Sequence, residues 1–209
     1  MNNITSSLKI GLPLAILAAI SGLLIVVSHL ATEPTIKAAQ QRILQESAVQ
    51  VIPQAQNLQL ICSDGTNFKA ATDFIRDQDC FFAGQDSAES FNYFVLNAQG
   101  QGFADKIQVL YGYDLNRATI IGFLVLESKE TPGLGDKIAF DPAFLDNFKQ
   151  LATQPKIEVV KQGQKTAPHQ IDGITGATIS SVAIGDILRS SVEHFTPILQ
   201  EFQELNHGK

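Results

Sequence analysis

The run from Ile10 to Leu30, IGLPLAILAAISGLLIVVSHL, holds no Asp, Glu, Lys or Arg. As a helix rising about 1.5 Å per residue, such a run matches the roughly 30 Å hydrocarbon layer of a bilayer. A cleavable signal peptide competes, but its apolar region is usually shorter, and a cut after Ala31 would put His29 where a small side chain is wanted. We therefore expect an uncleaved transmembrane helix over 10–30, preceded by a short tail over 1–9. Flanking charge does not orient it. Lys9 and the amino terminus lie on one side, and Lys37 and Arg42 with Glu33 on the other.

Beyond the apolar run, TEPTIKAAQQRILQESAVQVIP reads as a separate amphipathic stalk helix. It starts at Thr32 with Pro34 in its first turn, presents Ile36, Ile43, Leu44, Ser47 and Val51 on one face, and closes at Pro53. That gives a stalk over 31–54 and a domain over 55–209. Asn57 to Glu89 is poorly periodic, with Gly65 and Gly84 as turn signals, and predicts only short strands or irregular structure.

Strand signals then become dense. FNYFVLN (Phe91–Asn97), KIQVLYG (Lys106–Gly112) and ATIIGFLVLES (Ala118–Ser128) are β-branched and aromatic runs, separated by AQGQG and YDLNR, and predict an antiparallel meander. Asp141 followed by Pro142 starts a short helix with Phe144, Phe148 and Leu151 on one face. KIEVV (Lys156–Val160) is a further strand and KQGQK a turn. A long helix runs on from Ile179, with a break expected near Thr196 because Pro197 removes a donor and clashes with the preceding turn. The expected fold class is α+β.

Several chemistries are excluded. Net charge is −6, Lys+Arg 15 against Asp+Glu 21, with no dense basic run, so no nucleic-acid footprint exists. Two cysteines, Cys62 and Cys80, cannot supply the four thiolates of an iron–sulfur site, and His29, His169, His194 and His207 have no paired metal-ligand spacing. No GxGxxG follows a strand, and no GxxxxGK[ST] loop occurs. Redox chemistry here requires an organic cofactor.

Two small-residue loops stand at strand ends. SKETPGLGDKI, Ser128 to Ile138, packs Pro132, Gly133 and Gly135 between Glu130 and Asp136. Glycine allows close backbone approach to a flat ligand, although a long turn alone would use the same residues. DGITGATISS, Asp172 to Ser181, crowds hydroxyls against the start of the last helix. Thr178 either caps that helix, with Thr175, Ser180 and Ser181 around it, or faces a phosphate through the free amides of the helix N-terminus.

ETPGLGDKI and DGITGATISS together resemble the FMN-binding domain of the G subunit of the Rnf (Rsx) electron-transport complex, shared with the C subunit of the sodium-translocating NADH:quinone reductase. GQGFADKIQVLYGYD, with Phe103 at an aromatic position, is similar to the opening of the same domain. The resemblance covers about Gly100 to the first part of the last helix. It implies FMN joined through its phosphate to Thr178, the last residue of TGAT. Thr175, Gly176, Ala177 and Ser180 would shape the phosphate turn, and Glu130, Thr131, Gly133 and Leu134 would line the flavin. It further implies no catalytic residues and no metal site in this chain, other membrane-complex subunits as partners, and attachment by a flavin transferase that uses FAD with a divalent metal. The chain would sit as a single-pass protein in the inner membrane of a Gram-negative cell, with Met1 to Lys9 inside and the domain in the periplasm. That compartment permits a Cys62–Cys80 disulfide without demanding one. The expected function is an electron relay in an ion-translocating complex. The alternative is a membrane-anchored interaction domain without cofactor.

Overall fold

The computed structural model describes residues 2–65, 67–75, 77–86 and 90–206. Met1 of the expected tail, Glu89 and His207 lie outside the described residues. The chain divides into two units, 1–44 and 45–209.

The first unit is helical throughout its described residues, as part of α1, Asn2–Val51. Among the described residues α1 is the one helix long and apolar enough to cross a membrane. No second helix starts at Thr32. Instead Thr32 donates its hydroxyl to the carbonyls of Ser28 (2.9 Å) and His29 (3.2 Å), so it bonds back into the helix rather than capping a new one. Pro34 is carried inside the helix, losing one donor without ending it.

The second unit is built on seven strands in the order β2-β1-β3-β4-β5-β6-β7, every neighbouring pair antiparallel. They are β1 (Gln56–Ser63), β2 (Phe68–Ala70), β3 (Asp79–Gln85), β4 (Phe91–Gln101), β5 (Lys106–Asp114), β6 (Thr119–Glu127) and β7 (Leu151–Ala152). The expected meander is β4-β5-β6. Its first turn lies later than AQGQG suggested: Ala98–Gln101 stay paired with Lys106–Val109, and the chain reverses where the Gly102 amide donates to the Asp105 carbonyl at 2.9 Å. In Asn57–Glu89, where short strands or irregular structure were expected, the described residues form strands β1, β2 and β3. β1 and β3 pair over Gln59–Ser63, and Cys62, directly opposite Cys80, is joined to it by a disulfide.

Three short helical segments, 3-10 turns over Gly135–Ala139 and Asn147–Lys149 on either side of α2 (Pro142–Asp146), follow β6 among the described residues. Asp141 caps α2 as its sequence predicts, accepting from the amides of Ala143 and Phe144. A parallel pair, β8 (Glu158–Val160) and β9 (Gln170–Asp172), then leads to α3 (Thr178–Asn206).

α3 runs unbroken past Pro197, contrary to the break expected at Thr196. The Thr196 hydroxyl donates to the Val192 carbonyl at 2.6 Å. Phe195, Leu199 and Phe202, on both sides of the proline, are buried, so packing on the sheet outweighs the single missing amide. Phe202 meets Phe68, Phe81, Phe91 and Phe94 edge-on, and Gln203 donates to the Phe91 carbonyl. Tyr111 of β5 points to the same side, its hydroxyl donating to Ser191 at 2.8 Å, and burial pushes its phenol up from the usual range.

Side chains alternate across a strand, so Gly112, next to Tyr111, opens to the other face. Its partner across β5-β6 is Gly122. A Cβ on Gly112 would lie 2.4 Å from Ile52, and one on Gly122 would lie 2.0 Å from the Val51 carbonyl oxygen. The paired glycines form a notch that receives Val51 and the fully buried Ile52.

Candidate functional site

Three segments converge on a cleft of about 280 Å³. They are the β4-β5 turn carrying Phe103, the loop after β6 carrying Glu130, Thr131, Leu134 and Gly135, and the turn into α3 with Gly176, Ala177, Thr178, Ile179 and Ser180. The two loops singled out from sequence are thus brought face to face, although they lie far apart in the chain.

The turn into α3 is held from below. The Ile174 amide donates to Ser181 Oγ at 3.1 Å, while the Ser181 hydroxyl donates to the Ala177 carbonyl at 2.9 Å. Ser181 is fully buried, so these reciprocal bonds fix 174–177 against the first turn of the helix. Gly176 has φ +86, a conformation that costs other residues about 1–2 kcal/mol. Upstream, buried Asn147 donates to the Asp172 carbonyl and accepts from the Asp172 amide, and the Thr175 amide donates to Gln162. The turn is therefore held at both ends.

Within this frame Thr178 is exposed at the first position of α3. Among the described residues its hydroxyl makes no hydrogen bond, and Ser181 is the hydroxyl that ties the turn. Thr178 faces a cleft with apolar walls, Phe103, Leu134 and Ile179 being exposed at 63%, 50% and 58%. The amides of the first helical turn have no acceptor inside the helix, and the helix dipole favours an anion there.

Of the site residues read from sequence, Glu130, Thr131, Leu134, Gly176, Ala177, Thr178 and Ser180 line the cleft, whereas Thr175 and Gly133 do not. Ser180 is 2% exposed and donates its hydroxyl to Glu130 Oε2. Its one proton is thus committed inward. Gly133 sits in the turn where the Leu134 and Asp136 amides donate to the Thr131 carbonyl, at φ +76, and a Cβ there would meet nothing within 4 Å. Gly133 therefore serves the loop through its backbone angle, not through close packing in the protein. Gly133→Val should lower stability by about 1–2 kcal/mol, read as a fall in thermal midpoint, and Gly133→Asn should recover much of it because asparagine tolerates that region.

Phe103, Gly135 and Ile179 complete the lining. Phe103 and Gly135 were visible as an aromatic position and a loop glycine, but Ile179 was noted only as the start of the last helix and carries no sequence signal of a cleft wall. On the surface, Lys129 and Asp105 pair at 3.2 Å and join the same two loops. The backbone amide of Lys106 and then Lys129 hold the Asp105 carboxyl below its usual range. Because both groups are exposed, water screens this link strongly.

The model of the FMN-binding domain family matches residues 102–193, a span that contains all three walls of the cleft. The chain is 30% identical to the G subunit of the ion-translocating oxidoreductase complex of Vibrio vulnificus, over 96% of this chain and 95% of the relative. It is 29% identical to the protein of the same name from Methanosarcina acetivorans, over 89% and 93%. The crystal structure of Shewanella oneidensis NqrC superposes with a TM-score of 0.63 at 19% identity, covering 78% of this chain and 99% of that one. This last likeness is one of fold, an α+β arrangement of antiparallel sheet and flanking helices.

Proposed function

Because the chain belongs to the G-subunit family of the ion-translocating oxidoreductase (Rnf) complexes, we propose that it is a membrane-anchored electron-transport subunit that carries FMN covalently on Thr178. The single observation that carries the covalent reading is the uncommitted, exposed Thr178 hydroxyl on a turn fixed from beneath by Ser181.

The residues present fit the group. Gly176 and Ala177 leave room beside Thr178, the first-turn amides of α3 suit a phosphodiester, and Phe103, Leu134 and Ile179 suit the faces of a flat aromatic ring. FMN, when bound, supplies the electron chemistry. The chain's own residues position it and shield it. Among the described residues nothing hydrogen-bonds the Thr178 hydroxyl to activate it, and an unactivated threonine is a weak nucleophile, so attachment needs a separate transferase. With FAD as the donor, the Thr178 oxygen would take the FMN phosphoryl group, with AMP as the leaving group.

We assign 1–9 to the cytoplasm, 10–30 of α1 to the membrane, 31–54 to its continuation as a stalk and 55–209 to the periplasmic side of the inner membrane, with the other subunits of the complex as partners. The buried Cys62–Cys80 disulfide supports this side, since such bonds persist outside the reducing cytoplasm. A reporter fused after Lys209 should be active if it works only in the periplasm and silent if it works only in the cytoplasm; the reverse pattern sinks the topology.

The test of the function is intact mass. Protein from cells that contain the transferase should gain the mass of FMN less one water, with yellow colour that survives denaturation. Colour lost on denaturation would leave the domain with dissociable flavin only.

A further inference from the structure

Glu130 is a carboxylate only 5% exposed, on the wall of the cleft. Its Oε1 accepts from the Ala104 amide at 3.0 Å, and its Oε2 accepts from the Ser180 hydroxyl. Ala104 follows Phe103 in the β4-β5 turn, and Ser180 lies two residues after Thr178, so one side chain joins all three walls. Two glycines border it, Gly102 also being hemmed in by Ile107 and the Asp105 carbonyl. A Cβ on Gly102 would lie 2.4 Å from Oε1, and one on Gly135 would lie 2.8 Å from Oε2 and 2.9 Å from the Glu130 Cβ. An apolar side chain would fill this volume without the desolvation cost of a buried carboxylate. What the carboxylate adds is direction, through two acceptors aimed at donors on separate segments.

We propose that Glu130 is a positioning residue: the strut that sets the separation between the Phe103 turn and the first turn of α3, and thereby presents Thr178 to the incoming flavin phosphate. This rests on the cofactor reading above. Glu130 acts through Ala104 and Ser180 and takes no part in electron transfer itself.

The experiment uses the full chain in detergent micelles, as wild type, Glu130→Ala, Glu130→Gln and Ser180→Ala, with thermal melting to confirm folding. The first readout is amide exchange in flavin-free protein. In Glu130→Ala the Ala104 amide should exchange about tenfold faster, the scale of one lost hydrogen bond to a charged acceptor. Glu130→Gln should restore protection, because the amide oxygen still accepts from Ala104 while the amide nitrogen donates to Ser180 Oγ. Ser180→Ala should loosen the start of α3 and spare Ala104. The second readout is the rate of flavin attachment by the transferase, followed by intact mass, with visible circular dichroism of the attached flavin. Attachment should slow about tenfold in Glu130→Ala and recover in Glu130→Gln, and the dichroism should change only in the former.

Unchanged exchange at Ala104 in Glu130→Ala overturns the strut. Faster exchange with wild-type attachment and dichroism reduces Glu130 to a stability residue and overturns the positioning role. A Gln variant that behaves like Ala makes charge, not geometry, the operative property, and also overturns it. A wild-type chain that takes no flavin refutes the cofactor reading and the positioning role together, and does so without reference to the exchange arm, which alone decides the strut.

Discussion

Thr178→Ala should yield a chain with no covalent flavin and with stability within about 0.5 kcal/mol of the parent, the range of surface substitutions that break no specific contact. Two features set that small figure. Thr178 is exposed at the start of α3, and among the described residues its hydroxyl makes no hydrogen bond. The loss of a true helix cap would cost about 0.5–2 kcal/mol, but the hydroxyl that ties this turn is Ser181, and it remains. Thr175→Ala should reduce attachment slightly at most, since Thr175 does not line the cleft. Intact mass and thermal melting read the two effects separately. Covalent flavin persisting in Thr178→Ala, or fragment masses that place it on Thr175 or Ser180, would refute the assignment.

A second large effect is expected on the opposite face of the sheet. In Gly122→Val the new Cβ would lie 2.0 Å from the Val51 carbonyl oxygen and 3.0 Å from its carbon. Backbone atoms cannot swing aside as a side-chain end can, so either β6 or the end of α1 must move, and buried Ile52 must leave its seat against Gly112. Overpacking costs typically 1–3 kcal/mol and sometimes more. At the upper end, a domain of this size should lose roughly 6–12 °C in thermal midpoint, or fail to fold. Gly22→Ala is the control, because a Cβ there meets nothing within 4 Å. Equal melting of the two variants in detergent would show that the notch is not a structural requirement.

What could be read from residues alone followed the range of the interactions that decide each element. Strands β4, β5 and β6 are signalled by their own β-branched and aromatic runs, and Asp141-Pro142 carries its cap locally. The seven-residue β3, by contrast, consists of DCFFAGQ, where periodicity is weak and membership in the sheet comes from Leu96, Val95 and Phe94 across the ladder. The continuity of α3 past Pro197 was equally non-local. A proline weakens one turn, but the buried Phe195, Leu199 and Phe202 decide α3, and their partners lie on distant strands.

At the cleft, the glycine and hydroxyl content of both loops was visible, and resemblance identified their meeting. The division of labour among the hydroxyls was not. Thr175, Thr178, Ser180 and Ser181 are nearly equivalent in sequence. They differ in the fold because helical spacing turns Ser180 and Ser181 inward, to Glu130 and Ala177, and leaves Thr178 outward. The long-range bond from Glu130 to Ala104 leaves no local pattern at all.

The crowding around Glu130 restricts how such a sequence can drift. A side chain at position 102 or 135 is barred while the carboxylate is present, and the carboxylate loses the space for its oxygens once either glycine acquires a Cβ. Among descendants of this chain that keep the acid, both glycines should therefore be kept as well. A lineage that abandoned the acid would lose the nearest obstacle at both glycines, yet a Cβ at 102 would still meet Ile107 Cδ1 at 2.7 Å and the Asp105 carbonyl oxygen at 2.8 Å, and one at 135 would still meet Ser180 Oγ at 3.0 Å. The same acid-and-glycine trio, found intact in a distant sequence whose threonine turn has been lost, would mark a cleft kept after its attachment point had gone.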